Sequence, residues 1–302
     1  MGRIAFVFSG QGDQYSSMGK VIYESHPCAK AVYDLCDKLR PATSQQCFFG
    51  TNEELKETKN TQPCLFATEL AYASILNEAG IVPEAVAGFS LGEIAACTFA
   101  GIFDIKTGFE LVCKRGELMQ KDAEEHDASM AAVLKLSPEQ VEALCRNYEN
   151  VYPVNYNCPG QITVSGDKEQ MSSFVKNVKE AGGRAIPLAV KGGFHSPFMK
   201  KASQEFYEAL KNMQFGATDI SVYSNKTAQP YTNDVASLLS SQICSSVTWE
   251  ETICNMIACG IDTFIEIGPG KTLSNMIRKI NNEVCVYSVC ELSKVLSEVK
   301  PC

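Results

Sequence analysis

Gly88-Phe89-Ser90-Leu91-Gly92 spells G-x-S-x-G between an apolar run, Ala85–Phe89, and an alanine-rich stretch beginning at Leu91. That context suits a sharp strand-to-helix turn that exposes a serine hydroxyl. The backbone N–H groups that follow such a serine, together with the helix dipole, favour an oxyanion beside it. The motif alone leaves Ser90 open between a nucleophile and a plain helix N-cap. A nucleophilic serine needs a base, and the chain has only three histidines. His26 lies in a polar part of the first helical region and His126 in the charged run "KDAEEHDAS". His195 follows two glycines in "KGGFHSPF", which lets the backbone approach another surface closely. It is the candidate base; a satisfied core histidine is the alternative.

Arg115 is the next anomaly. Its helical neighbours at i±3 and i±4 are Leu111, Val112, Leu118 and Met119, so it falls on the apolar face. A guanidinium there needs an anion. A protein carboxylate, or a chain that snorkels at the rim, would answer this; the sharper reading is a bidentate clamp for a substrate carboxylate. Ser9-Gly10-Gln11-Gly12 after the first apolar run could present backbone N–H groups to an anion. It lacks the lysine of a nucleotide-binding P-loop.

These residues need a frame. Apolar runs at Ile4–Phe8, Ala85–Phe89, Ile220–Ser224, Thr263–Ile267 and Val284–Val289 alternate with helical patterns, which predicts an α/β fold with a parallel sheet. Thr51–Thr61 reads as a polar loop, with a helix from about Pro63 to Ala79; Asp104 caps a longer helix. Between them and the later strands, Met130–Leu136, Ser137–Gln140, Val151–Tyr156, Gln161–Ser165, Asp167–Ala181 and Arg184–Val190 read β-α-β-β-α-β, a split ferredoxin-like unit. The predicted division is a large α/β-hydrolase-like catalytic domain over 1–124 and 192–302, with a small ferredoxin-like domain over 125–191 inserted into it.

Bulk composition narrows the chemistry. A net charge of −8 over 302 residues disfavours nucleic acid and anionic lipid as partners. No apolar run approaches membrane-spanning length. The first residues read as a strand rather than a signal peptide. Fourteen cysteines without a C-x-x-C pair suit a reduced cytoplasmic protein that uses Cys as a small hydrophobe.

Taken in order, "FVFSGQGDQ", "GFSLGE", "RGELMQ", "NYNCPGQITVSG", "GGFHSPFM", Ser224-Asn225, "QICSSVTW" and "EIGPGKTLSNMI" resemble the malonyl-CoA:acyl carrier protein transacylase family along nearly the whole chain. The resemblance implies that Ser90 is acylated and His195 is its base, oriented by a main-chain carbonyl near Gln242. It implies an oxyanion hole from the backbone N–H groups of Gln11 and Leu91. Arg115 would hold the malonyl carboxylate, Gln242 would line the site, and Phe194 matches the malonyl-type version of its segment. The donor would be malonyl-CoA and the acceptor the phosphopantetheine thiol of an acyl carrier protein, with no bound metal or redox cofactor. A cytoplasmic monomer is expected. Phe89 departs from the family's usual Gly-His-Ser; strand alternation predicts that its ring points away from the Ser90 hydroxyl. For an acidic carrier, Lys191, Lys200 and Lys201 flank His195 without a nearby acid in sequence, as do Lys271, Arg278 and Lys279 near the C-terminus. These are candidate docking residues. An α/β-hydrolase, a thioesterase on the same scaffold and a non-catalytic carrier-binding protein are the other readings.

Overall fold

Strand β1 (Arg3–Phe8) is buried on both faces from Ile4 onward and forms the centre of a parallel sheet. In chain order the others are β2 (Ala85–Gly88), β3 (Ala128–Leu134), β4 (Val151–Cys158), β5 (Gln161–Asp167), β6 (Arg184–Pro187), β7 (Ser221–Tyr223), β8 (Ile261–Ile267) and β9 (Cys285–Ser288). The computed structural model describes residues 2–299. The large sheet has the order β7-β2-β1-β8-β9, and all its pairings are parallel. Its central strand alternates: Ile4, Phe6 and Phe8 enter the larger apolar cluster, while Ala5 and Val7 pack with Trp249, Ile253 and Met256 on the other face. Helices therefore cover both faces, as a parallel sheet requires.

The register sets the level of the site. Phe8 lies opposite both Gly88 and Ile267, so β1, β2 and β8 end together. The chain leaves β1 towards β2 on one side, and β8 returns on the other. The loops at that reversal, after Phe8, Gly88 and Ile267, share one crevice at the carboxyl ends of the strands.

The second sheet is antiparallel, with the order β4-β5-β3-β6. Helices Pro138–Cys145 and Lys168–Glu180 cover one face through Val133, Ile162, Val164, Phe174 and Val178. Its other face carries Met130 and Asn155 to the crevice. Backbone bonds from Val247 N–H to the Val154 carbonyl (2.8 Å) and from Tyr156 N–H to the Val247 carbonyl (2.9 Å) stitch the sheet to the rest of the fold.

Two expectations are corrected. Thr51–Thr61 is not a loop: Thr51 and Glu54 form a capping box that starts helix Asn52–Lys56, and the long helix spans Thr58–Glu78. Pro63 sits inside that helix as its sixth residue, past the unpartnered N–H groups of the first turn, so the helix forgoes one i→i−4 bond there. A last helix, Leu292–Glu298, follows β9, which sequence reading placed as the final element. The ends of the expected large domain, residue 1 and residues 300–302, lie outside the described residues.

Gly92 opens helix Gly92–Phe99 directly against β1, where a Cβ would collide with the Phe8 carbonyl oxygen. Gly92→Ala is expected to lower stability by about 1–3 kcal/mol in urea unfolding, because the strand and the turn cannot both keep their places. An unchanged midpoint would contradict this packing.

Candidate active site

Ser90 has φ 56°, a left-handed conformation unusual for a residue with a side chain. Three bonds hold it there. Its N–H donates to Asn225 Oδ1 (2.7 Å), Asn225 Nδ2 donates to the Gly88 carbonyl (2.5 Å), and Gln242 Nε2 donates to the Ser90 carbonyl (2.7 Å). The turn projects the hydroxyl into a cavity of about 80 Å³.

His195 is buried and also left-handed, with φ 60°. Its Nδ1 lies 2.9 Å from the Gln242 carbonyl, and its Nε2 2.7 Å from Ser90 Oγ. A carbonyl only accepts, so Nδ1 carries the proton and Nε2 is free to take the serine's. His26 occupies the N-cap position of helix Pro27–Leu39 without a side-chain capping bond, and His126 packs tilted against Phe198 at the end of helix Ile105–Glu125; neither joins the site.

Arg115 is 1% exposed, on the inner face of helix Ile105–Glu125. Its Nη1 donates to Gln62 Oε1 (2.9 Å) and its Nη2 to Gln242 Oε1 (2.7 Å) and Ser90 Oγ (3.1 Å), while Nε has no partner among the described residues. Burial draws the guanidinium down to about 10, against the pull of Glu93, so it stays charged at neutral pH.

Sequence reading missed Glu93, Gln62 and Tyr231. Glu93 is buried one turn beyond Ser90 and accepts from Gln242 Nε2 (2.7 Å), the Asn225 N–H (3.1 Å) and the Tyr231 hydroxyl. Because Glu93 and the Ser90 carbonyl both take protons from the Gln242 amide nitrogen, the amide oxygen must face Arg115. Burial raises Glu93 to about 7, against those bonds and the Arg115 charge. The glutamate of "GFSLGE" lay in view, but its inward placement depends on helix phase after a tight turn.

The remaining candidates fall around this core. Gln11, Leu91 and Phe194 line the cavity. Among the described residues, the N–H groups of Gln11 and Leu91 have no acceptor. The Phe89 ring stands edge-on against Trp249 with ring centroids 5.5 Å apart, and Phe89 also borders the cavity that the Ser90 hydroxyl enters. Gln11, Phe89, Asn155 and Leu188 also line an adjoining groove of about 230 Å³. Lys191 borders a separate groove, and Lys200 is exposed. Lys201 pairs with Glu125 (2.7 Å) and Lys271 with Glu291 (3.1 Å), acids remote in sequence that the linear reading could not see. Arg278 donates to the Val286 carbonyl (2.8 Å), and Lys279 to Gln161 Oε1 (3.3 Å).

Burial first, and the Arg115 charge second, pull the His195 imidazole down to about 4. An unfolded histidine titrates near 6.5. Between those values only the unfolded chain takes the proton, so stability rises with pH and is lost as pH falls from about 6.5 to about 4. Glu93, raised instead, favours the folded chain at the acid side of its own window, so the wild-type curve is a sum of opposing slopes. The difference between wild type and His195→Asn isolates the histidine. The variant should lose less stability on acidification through this window; parallel curves would contradict the buried neutral imidazole.

The chain matches the acyl transferase domain family over residues 5–296. A malonyl CoA-acyl carrier protein transacylase of Bacillus subtilis is 39% identical, covering 96% of this chain and 94% of its own length. The solved structure of a malonyl CoA-acyl carrier protein transacylase from Clostridium perfringens superposes with a TM-score of 0.94 at 35% identity, over 98% of this chain and 97% of that one. A malonyl-transacylase solved in complex with a type II polyketide acyl-carrier protein superposes at 0.91 with 30% identity, over 95% of each chain. With its fold, its family match and these relatives in agreement, the chain belongs to the acyl transferase domain family.

Proposed function

We propose that the chain moves a malonyl group from malonyl-CoA, through an ester on Ser90, to the phosphopantetheine thiol of an acyl carrier protein in fatty-acid or polyketide synthesis. The observation that carries this reading is the buried Arg115 guanidinium 3.1 Å from Ser90 Oγ. A fixed cation beside the nucleophile suits an acyl group that ends in a carboxylate. The relatives' names and the carrier-bound structure support the same donor and acceptor.

The chemistry then follows from the bonds. Ser90 Oγ attacks the thioester carbon as its proton passes to His195 Nε2. The carbonyl oxygen becomes an oxyanion and takes the Gln11 and Leu91 N–H groups. Collapse breaks the C–S bond; the CoA thiolate leaves and receives the proton from Nε2. In the second half the carrier thiol gives its proton to Nε2, its sulfur attacks the Ser90 ester, and the serine oxygen leaves and is reprotonated. Gln242 keeps the imidazole in the tautomer that both halves use, and Phe194 walls the acyl pocket. No bound metal or redox cofactor enters these steps.

The reading extends to the frame. We take 1–124 and 192–302 as an α/β-hydrolase-like catalytic domain and 125–191 as an inserted ferredoxin-like one; the β-α-β-β-α-β order and the separate apolar cluster of the small sheet support this. The thirteen free cysteines among the described residues suit a reduced, cytoplasmic setting. A monomer is the expected assembly, testable by light scattering. Of the docking residues, Lys191, Lys200, Arg278 and Lys279 have no ion pair among the described residues, while Lys201 pairs with Glu125 and Lys271 with Glu291.

After incubation with malonyl-CoA and acid quench, the tryptic peptide containing Ser90 should carry a malonyl adduct that carrier protein removes and water does not. No adduct would contradict the acyl-enzyme, and equal removal by water would favour a hydrolase. Arg115→Ala should cut malonyl transfer by about 100-fold or more while sparing acetyl transfer, given what one charged partner contributes in a dry site. An unchanged acyl preference would sink the clamp. Lys200→Glu with Lys279→Glu should raise the KM for carrier protein and leave that for malonyl-CoA in place; unchanged constants would remove these lysines from docking.

A further inference from the structure

Below the loop that carries the Gln11 N–H lies a buried carboxylate with half its bonding unmet. Glu69, on helix Thr58–Glu78, is 0% exposed. Its Oε1 accepts from Ser9 Oγ at 2.7 Å, and its Oε2 has no partner among the described residues. Ser9 is equally buried, and its N–H donates to the Ile267 carbonyl at 3.1 Å. The residue is thus held between the end of β8 and the helix, two positions before Gln11. The Gly268 backbone closes over it so tightly that a Cβ there would strike the Ser9 hydroxyl.

The charged groups bearing on Glu69 are both negative: Asp13 from the same loop and Glu266 from β8. Each has donors of its own. Asp13 accepts the Thr272 hydroxyl (2.5 Å), and Glu266 the N–H groups of Leu273 (2.9 Å) and Ser274 (2.8 Å). Behind them stand the Cys290 thiol, which faces both, and Lys271, whose charge is taken up by Glu291 at 3.1 Å. Among the described residues, no cation reaches Glu69. Burial first, then the two like charges, hold it well above the usual carboxylate range, against the Ser9 bond. A protonated acid suits the site better than an anion: Oε1 accepts as a carbonyl, and although an O–H on Oε2 finds no acceptor among the described residues, no anion sits uncompensated in the core.

We infer that Glu69, acting through Ser9 as a neutral acid, is a positioning residue for the oxyanion hole. It fixes the root of the turn that aims the Gln11 N–H, and it does so without placing a negative charge below the developing oxyanion. The first requirement follows from the steep dependence of an oxyanion hole on donor placement. The second follows from like-charge repulsion in a dry site. This inference rests on the acyl-transfer reading above.

Rapid-quench measurement of malonyl-Ser90 formation tests it, with circular dichroism to verify folding. Glu69→Gln keeps an acceptor for Ser9 and cannot ionise; its limiting acylation rate should stay within about threefold of wild type. Glu69→Ala and Ser9→Ala should each lower that rate by about 10- to 100-fold, with the half-saturating malonyl-CoA concentration unchanged. The double variant should be no slower than the slower single one, since both remove one bond. Should Glu69→Ala fail to fold, Ser9→Ala makes the same comparison. Wild-type rates in the alanine variants, a loss shared by Glu69→Gln, or additive losses in the double variant would each overturn the inference. A wild-type chain that takes no malonyl group would instead overturn the functional reading beneath it.

Discussion

The main-chain carbonyl of Gln242 takes the Nδ1 proton of His195, its side-chain oxygen takes Arg115, and its side-chain nitrogen reaches the Ser90 carbonyl and Glu93. One residue thereby fixes the tautomer of His195, the aim of the Arg115 guanidinium and the backbone of Ser90. A glutamine amide can be turned over, and turned over it would present N–H groups to a guanidinium. Glu93 prevents this by accepting from the nitrogen side, and the Tyr231 hydroxyl and the Asn225 N–H hold Glu93 in turn. The site is a network in which each polar atom restricts the next, so that little reorganisation remains for the reaction itself.

The network is also why a charged arginine tolerates the interior. Arg115 lies among Leu111, Leu118 and Met119, yet its two terminal nitrogens meet Gln62, Gln242 and Ser90. Neutral acceptors satisfy its protons without cancelling its charge. A directly bonded carboxylate would cancel it and compete with a carboxylated substrate; Glu93 instead stands one residue away, behind Gln242. Nε has no partner among the described residues, and Arg115 lines the small cavity beside Ser90.

Much of this was legible in the sequence, for reasons that differ by residue. Ser90 was marked by glycines whose only purpose is close approach: Gly92 meets the end of β1 where no Cβ fits. Arg115 was marked by helix phase, since a 3.6-residue period assigns a face whatever packs upon it. Thr58 to Gln62 was hidden because Pro63 reads as a boundary, whereas the capping box at Thr51 and Glu54 starts the helical segment earlier. Gln62 was hidden with it. Gln242 and its carbonyl came from family resemblance; nothing local marks a carbonyl that accepts from a histidine 47 residues away. The pairing of Lys201 with Glu125, and of Lys271 with Glu291, likewise belongs to the fold and not to any window of sequence.

A buried cation beside Ser90 would select its substrate by charge rather than by shape. The most direct measurement compares single-turnover acylation of Ser90 by malonyl-CoA with that by its neutral amide analogue, which has nearly the same size and hydrogen-bonding reach. The carboxylate-bearing thioester should react faster by about 100-fold or more, the difference made by a charged partner in a water-poor site. Equal rates for the two would contradict it.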